Sequence, residues 1–479
     1  MAGSVLTPPA GPGFDLQPSA QQVPLSTNYI TNFDFLNQYL PDTYEKEFER
    51  YGNRTISSFL RMVGAEMPSN SDLIKWAEQG RLHTKYVNCT TTVITTQDTA
   101  VFTINDTLVP GTGGIAVRVG QTIMLSPKTI VGTVATVNKA IVTSVNTATG
   151  VIEVAFYEAS GMTNDNVGNI YEMFIYGSEF KKGTTGMVGS LEADDEIFEN
   201  SPIILKDKYA VSGSDMAQIG WVEVTSENGA SGYLWYIKSE HETRLRFDDY
   251  LEMAMIEGVP AAVGSGVAAL GANGQLGNQG TKGLFHEIEN NGNVWSGGNP
   301  AALADFDAII QRLDKQGAIQ ENVMFVNREF GFDIDDMLAA QNSYGAGGTS
   351  YGLFDNDEEM ALNLGFSGFK RGYEFYKSDW KYLNDATLRG GIIGGAVNGV
   401  LVPAGSTNVY DQVMGRNAKR PFLHVRYRAS ETEDRRYKTW MTGSAGGAAT
   451  SDLDAMEVNF LSERALCTLG ANNFFIFKD

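Results

Sequence analysis

Hydrophobic and polar residues change period several times along this chain. Between 86 and 178, runs such as VNCTTTVITT, TAVFTI, TVATVNKAIVTSV and YEMFIYG are rich in Val, Ile and Thr and are separated by turn residues. That spacing predicts successive short strands forming a small barrel or sandwich inserted in the chain. Elsewhere the period is helical. Tyr44, Phe48 and Tyr51, then Ile56, Phe59, Leu60 and Val63, predict a helical segment after Pro41, and SDLIKWAEQG predicts a short helix over 71–80 between Ser71 and Gly80. GYLWYIKSEHETRLRFDDYLEMAMIEG sets Leu234, Ile237, His241, Leu245 and Leu251 near one face of a helix of about seven turns. Leu303, Phe306, Ile309, Ile310 and Leu313 predict an amphipathic helix ending at Gly317, followed by a strand over 323–326 and another helix, which makes a mixed α/β subdomain. Further strands are expected at 399–402 and 422–427.

The end of the sequence poses a separate problem. LSERALCTLGANNFFIF finishes on large apolar residues where a chain normally frays unless it is docked on a core or a sheet. Three strands are predicted, 456–461, 465–469 and 474–477, with Gly470, Asn472 and Asn473 turning the chain between the last two. They would form a small antiparallel meander closing onto a domain begun earlier. Upstream, the glycine-broken stretch 179–231 carries Lys181, Lys182 and an acidic block at 194–196, and its two extended runs predict a long projecting β-hairpin. Residues 1–28 are rich in Pro, Gly, Ser and Gln and read as an extended arm that orders only against a partner; 258–300 reads as a Gly, Ala and Asn-rich loop region.

Length and charge narrow the function classes. A chain of 479 residues exceeds one ordinary core, and a net charge of −21 argues against wrapping nucleic acid by phosphate neutralisation. Cys89 and Cys467 are far apart and read as two buried free thiols in a reducing compartment. No secretory signal and no ordinary membrane span is expected.

Candidate chemistry is thin. His83, His241, His286 and His424 lack metal-ligand spacing. Asp333, Asp335 and Asp336 form one acidic cluster. Asp355, Asp357, Glu358 and Glu359 form another that opens like a calcium loop, but Met360 and Phe366 stand where the turn glycine and the bidentate Glu belong. GTSYG at 348–352 matches a nucleophile elbow around Ser350 in letters only, since a loop phrase precedes it instead of a buried strand. The glycine-rich stretch at 264–283 lacks a phosphate-loop signature. No enzyme, cofactor or metal is expected.

The order of these pieces resembles the α+β major capsid protein fold of tailed bacteriophages, the Hong Kong 97 phage type. The stretches that carry the resemblance are SPIILKDKYAVSGSDM before the long helix, the long helix itself, FDAIIQRLDKQG with NVMFVNREF, and MEVNFLSERALCTLGANNFFIF at the end. The inserted block at 86–178 departs from the minimal fold and looks like the elaborated capsid proteins of the crAss-like phages. The resemblance implies an extended N-terminal arm over 1–40 and a helical peripheral-domain segment over 41–85. It implies further an inserted β-rich domain over 86–178, an extended hairpin loop over 179–231 and a spine helix over 232–260. An axial domain with peripheral segments would follow over 261–454, with terminal peripheral strands over 455–479, and FFIF would be an inner peripheral strand covered by the spine helix.

It also implies self-assembly into hexamers and pentamers of an icosahedral head. Partners would be other copies and further capsid, portal or decoration proteins, around DNA enclosed without sequence-specific binding and with no membrane. The chain would be made in the host cytoplasm and end in the virion. Tyr29, Phe33 and Phe35 in the arm, with Phe180, Lys181, Lys182 and Ile204 in the hairpin, are the expected assembly contacts. The rival classes are a β-rich tail or baseplate component, which would form rings or tubes, and a carbohydrate-acting surface protein, which would show a solvent-facing cleft with paired carboxylates or aromatics.

Overall fold

A computed structural model describes residues 59–60, 65–81, 83, 85–96, 98–105, 115–129, 136–159, 161–162, 167–189, 195–218, 224–225, 231–232, 235–270, 278–317, 319–342, 367–392, 394–411, 416–447 and 449–479. The helical segment expected after Pro41 falls outside them except for Phe59 and Leu60, which are helical.

Two strands come first, β1 (Ala65–Ser69) and β2 (Ile74–Gln79). β2 corrects the helix expected over 71–80. Ile74 is buried, Lys75 exposed and Trp76 half-buried, so the short apolar run alternates with the period of a strand. A run this short satisfies either period until pairing decides it.

The β-rich block follows as β3 (Lys85–Thr96), β4 (Thr99–Ile104), β5 (Gln121–Thr129), β6 (Asn138–Asn146), β7 (Val151–Phe156) and β8 (Ile170–Ser178). They close into a barrel in the order β3-β4-β7-β6-β5-β8. Alternate residues point inward, among them Tyr86, Phe102, Ile123, Leu125, Val142, Val154, Tyr171 and Met173, and Phe102 meets Tyr171 edge to face at 5.8 Å. This core is built from barrel residues alone. Closure leaves no open edge, which explains how a Thr-rich block can remain a separate unit.

Next comes β9 (Asp195–Asn200), which pairs antiparallel with β2 from Ile74 opposite Asn200 to Gln79 opposite Asp195. A two-stranded ribbon therefore leaves the body, carries the barrel at its far end and returns. The expected hairpin within 179–231 is corrected accordingly: its second run, β10 (Ile203–Ser212), does not pair with β9. Short β11 (Val224–Thr225) and β12 (Ser231–Gly232) pair with each other ahead of the long helix α1 (Trp235–Glu257). Thr243, Phe247, Leu251 and Met255 are buried at intervals of four residues, forming the stripe by which α1 packs. Ile237, expected on that face, is exposed because it precedes the stripe.

After α1 the chain forms α2 (Leu284–Asn291), β13 (Asn293–Trp295), α3 (Leu303–Gln316), β14 (Glu321–Val326), α4 (Arg328–Asn342), β15 (Gly368–Arg371), β16 (Tyr373–Asp379) and β17 (Val397–Pro403). As the spacing predicted, α3 buries Phe306, Ile309 and Leu313, and Gly317 caps it in the left-handed region at φ 72°. The remaining strands are β18 (Ser406–Asp411), β19 (Arg416–Pro421), β20 (Leu423–Arg428), β21 (Lys438–Gly443), β22 (Ala455–Thr468) and β23 (Phe475–Lys478).

Two larger sheets form the body. One runs β1-β20-β22-β10, with β21 also on β22, and α1 lies on it through Phe247 and Leu251 against Val211, Met456, Val458 and Phe460. The other runs β13-β23-β17-β14-β16-β15. α3 and α4 cover one face of it, where Phe306, Leu313, Phe330 and Ile334 meet Met324, Leu401, Phe475 and Phe477. Its other face contributes Phe325, Val400, Phe474 and Ile476 to a core shared with Met255, Ile256, Phe285 and Trp380.

The terminal meander is therefore corrected twice. Residues 455–468 form one fourteen-residue strand, β22, and β23 belongs to the six-stranded sheet, between β13 and β17. FFIF is apolar throughout because its side chains alternate between two cores, as in a strand covered on both faces. The fold class, α+β with strands predominating, is as expected.

Candidate assembly interface

The residues expected to make assembly contacts fall in separate places. Tyr29, Phe33 and Phe35 lie outside the described residues. Phe180 follows β8 and folds back on the barrel. Its ring lies against Gly120, which has φ 87° and where a Cβ would stand 2.6 Å from Phe180 Cε1. Lys181 and Lys182 occupy an exposed turn in which Thr184 Oγ1 donates to the Lys181 carbonyl at 2.7 Å. Ile204 lies in β10 opposite Glu463, about half exposed. Phe180, Lys181 and Lys182 thus belong to the barrel exit and Ile204 to the body sheet, with β9 between them, so no single hairpin collects all four.

Sequence reasoning missed a different surface. Immediately after α1 the chain exposes Val259, Val263, Val267 and Leu270. Pro260, Ala261, Val263 and Ala268 line a hollow of about 410 Å³ together with Leu73 beside the ribbon. Ile197 of β9 is also exposed. The signal lay in composition: VPAAVGSGVAAL has the glycines of a loop but apolar residues where a solvated loop carries polar ones. Asn200 joins this loop to the body. Its side chain donates to the carbonyls of Lys282 at 2.9 Å and Leu466 at 2.7 Å, and accepts from Thr281 Oγ1 at 3.0 Å and the Lys282 N–H at 2.8 Å.

Charged groups concentrate between α1 and the five-stranded sheet. A hollow of about 790 Å³ there is lined by Glu66, Arg244, Asp248, Glu252, Arg436 and Arg464. Glu66 pairs with Arg436 and stands 3.7 Å from Arg464, while Arg435 pairs with Glu463 at 2.8 Å. Burial pulls the Arg464 guanidinium below its ordinary value although Glu66 opposes that effect. Burial, helped by Asp248, pushes Tyr437 up to about 12. Buried Glu252 accepts from the Phe59 N–H at 3.0 Å. Glu66 and Glu463 are each held by a guanidinium on the sheet side, and α1 faces the hollow with Arg244, Asp248 and Glu252.

The remaining chemical candidates are accounted for in the same way. Asp333 accepts from Asn299 Nδ2 at 2.7 Å, and Asp335 pairs with Lys377 at 2.5 Å. The acidic run 355–359 and GTSYG lie outside the described residues. Among the described residues no three His, Cys, Asp or Glu are grouped to hold a metal, and no helix is long and apolar enough to cross a membrane. His286 neighbours Asn290 on α2, His241 is half-buried in α1 and His424 is buried in β20. Cys89 and Cys467 are buried free thiols, and burial raises Cys467 to about 12.

No family model matches the chain, and no curated protein matches it. Solved structures do. A chain from Microbacterium phage Oxtober96 is 9% identical, with 93% of this chain and 97% of that one covered at a TM-score of 0.38. A chain from Mycobacterium phage Adephagia is 7% identical, with 94% and 98% covered at 0.38. A chain described as the capsid of a native GTA particle is 10% identical, with 92% and 95% covered at 0.36.

Proposed function

We propose that this chain is the major capsid protein of a tailed bacteriophage, assembling into hexamers and pentamers of an icosahedral head around double-stranded DNA. The observation that carries the reading is the set of exposed apolar side chains Val259, Val263, Val267 and Leu270 after α1, beside a hollow that Leu73 also lines, together with exposed Ile197 on the ribbon. A chain of net charge −21 gains nothing by presenting such side chains to water, and burial against a neighbouring subunit would use them. The order of elements agrees with the capsid-type architecture: a ribbon leaving the body, a long helix across one sheet, and a second sheet flanked by helices. On this reading the ribbon and barrel reach over an adjacent subunit. Phe180, Lys181, Lys182 and Ile204 flank the contact, the arm over 1–40 clamps another copy, and the β13-to-β17 region forms the axial domain. The acidic charge keeps the shell from adhering to packed DNA.

Negative-stain electron microscopy with size-exclusion chromatography tests the proposal. Closed shells, or rings of six and five subunits, are expected from the full chain, and Val263→Asp together with Ile197→Asp should leave a folded monomer that no longer assembles. A wild-type chain that stays monomeric under every assembly condition overturns the reading.

A further inference from the structure

One side of the barrel has a hollow of about 710 Å³ whose lining includes Tyr157, Tyr176, Lys139, Glu158, Glu179 and Thr122. Tyr157, just after β7, is 51% exposed and Tyr176, on β8, is 48% exposed, so neither ring is spent on the barrel core. Both rings are nevertheless held in place. Tyr157 Oη donates to Glu179 Oε2 at 2.6 Å and its backbone N–H to the Lys139 carbonyl at 3.2 Å, while the Lys139 ammonium stands 5.8 Å from the centre of the Tyr176 ring. The rings therefore face solvent already ordered, one on β8 and one just after the end of β7 of a closed barrel, and a ligand meeting them would have little side-chain freedom to remove.

The chemistry of the lining selects the ligand. Carboxylates beside the rings repel phosphate, which argues against nucleic acid stacked on the tyrosines. Carboxylate, ammonium and hydroxyl groups beside two exposed rings would leave an apolar peptide with unpaired polar neighbours. A pyranose presents a flat C–H face on one side and hydroxyls around its edge, matching rings flanked by acceptors and a donor. We propose that this hollow binds a neutral oligosaccharide, with a sugar ring stacked on Tyr157 and Tyr176 and its hydroxyls bonded by Glu158 and Lys139. The site lies within the barrel and stands whether or not the chain forms a capsid.

Isothermal titration of the full chain with maltotriose, cellotriose, galactotriose and triacetylchitotriose tests it. Saturable binding of at least one trisaccharide is expected, weakened about tenfold or more by Tyr157→Ala and by Tyr176→Ala, whereas Tyr157→Phe keeps the ring and most of the affinity. Should an alanine variant fail to fold, Glu158→Gln gives the second measurement, with a loss of similar size expected. Absence of saturable binding to all four sugars by the wild-type chain overturns the proposal. Binding that none of these substitutions weakens overturns it too, and so does a wild-type chain that ignores sugar while the alanine variants change self-association.

Discussion

Buried Asn200 joins segments that are remote in sequence. Placed at the end of the ribbon, it bonds the loop at Thr281 and Lys282 and the carbonyl of Leu466 in β22. Both ends of the amide are satisfied, so removing it would strand several buried polar groups at once. Asn200→Ala is expected to cost about 2–4 kcal/mol, because each orphaned partner carries its own desolvation penalty. Chemical denaturation of the purified variant measures this, and a loss below about 1 kcal/mol would show that water replaces the amide freely. Asn293 does comparable work beside the C-terminus, donating to the carbonyls of Asn472 and Phe474 and accepting from Arg312 Nε at 2.9 Å. None of this was legible beforehand, since an Asn next to Ser201 and Pro202 reads as loop chemistry until its partners, as distant as Leu466, are in place.

At the scale of elements, β22 and β23 show what pattern reading can and cannot deliver. Ser462, Glu463 and Arg464 look like a turn between two strands, yet all three are buried inside one. Ser462 Oγ donates to the Arg436 carbonyl at 2.6 Å, Glu463 pairs with Arg435, and Arg464 Nε donates to Ser462 Oγ at 2.9 Å. Polar residues can run through a covered strand when neighbours satisfy them, and those neighbours lie in the segment around 435–436. β23 was legible as a buried strand from FFIF, but its sheet was not, because hydrophobicity names no partner. Phe475 sits in the core under α3 and α4, and Phe474 in the core shared with α1 and α2. Phe475→Ala is therefore expected to destabilise by about 3–5 kcal/mol. Hydrogen exchange read residue by residue should show the largest loss of protection in α3, β14 and α4. Loss confined to α1 and the five-stranded sheet would contradict the packing.

For the whole molecule, the barrel is an insertion with its own closed sheet and its own core, reached and left through β2 and β9. Replacing 85–178 with a short Gly-Ser linker is expected to leave both body sheets folded, and the excised segment should fold alone. Circular dichroism with thermal melting of the two products checks this; a shortened chain without a cooperative transition would show that the barrel supports the body. The local pattern of the sequence determined the barrel block, α1, α3, β14 and β17, because the alternation of the barrel strands, the helical stripes of α1 and α3 and the short continuous apolar runs of β14 and β17 are each set by residues near one another in the chain. Tertiary structure alone decided that 74–79 is a strand, that β9 pairs with β2 and not with β10, and that β23 joins the six-stranded sheet. Those choices rest on hydrogen bonds and packing between segments more than a hundred residues apart, such as Ile74 with Asn200 and Val294 with Ile476, and the first such contact changes which period a short apolar run can satisfy.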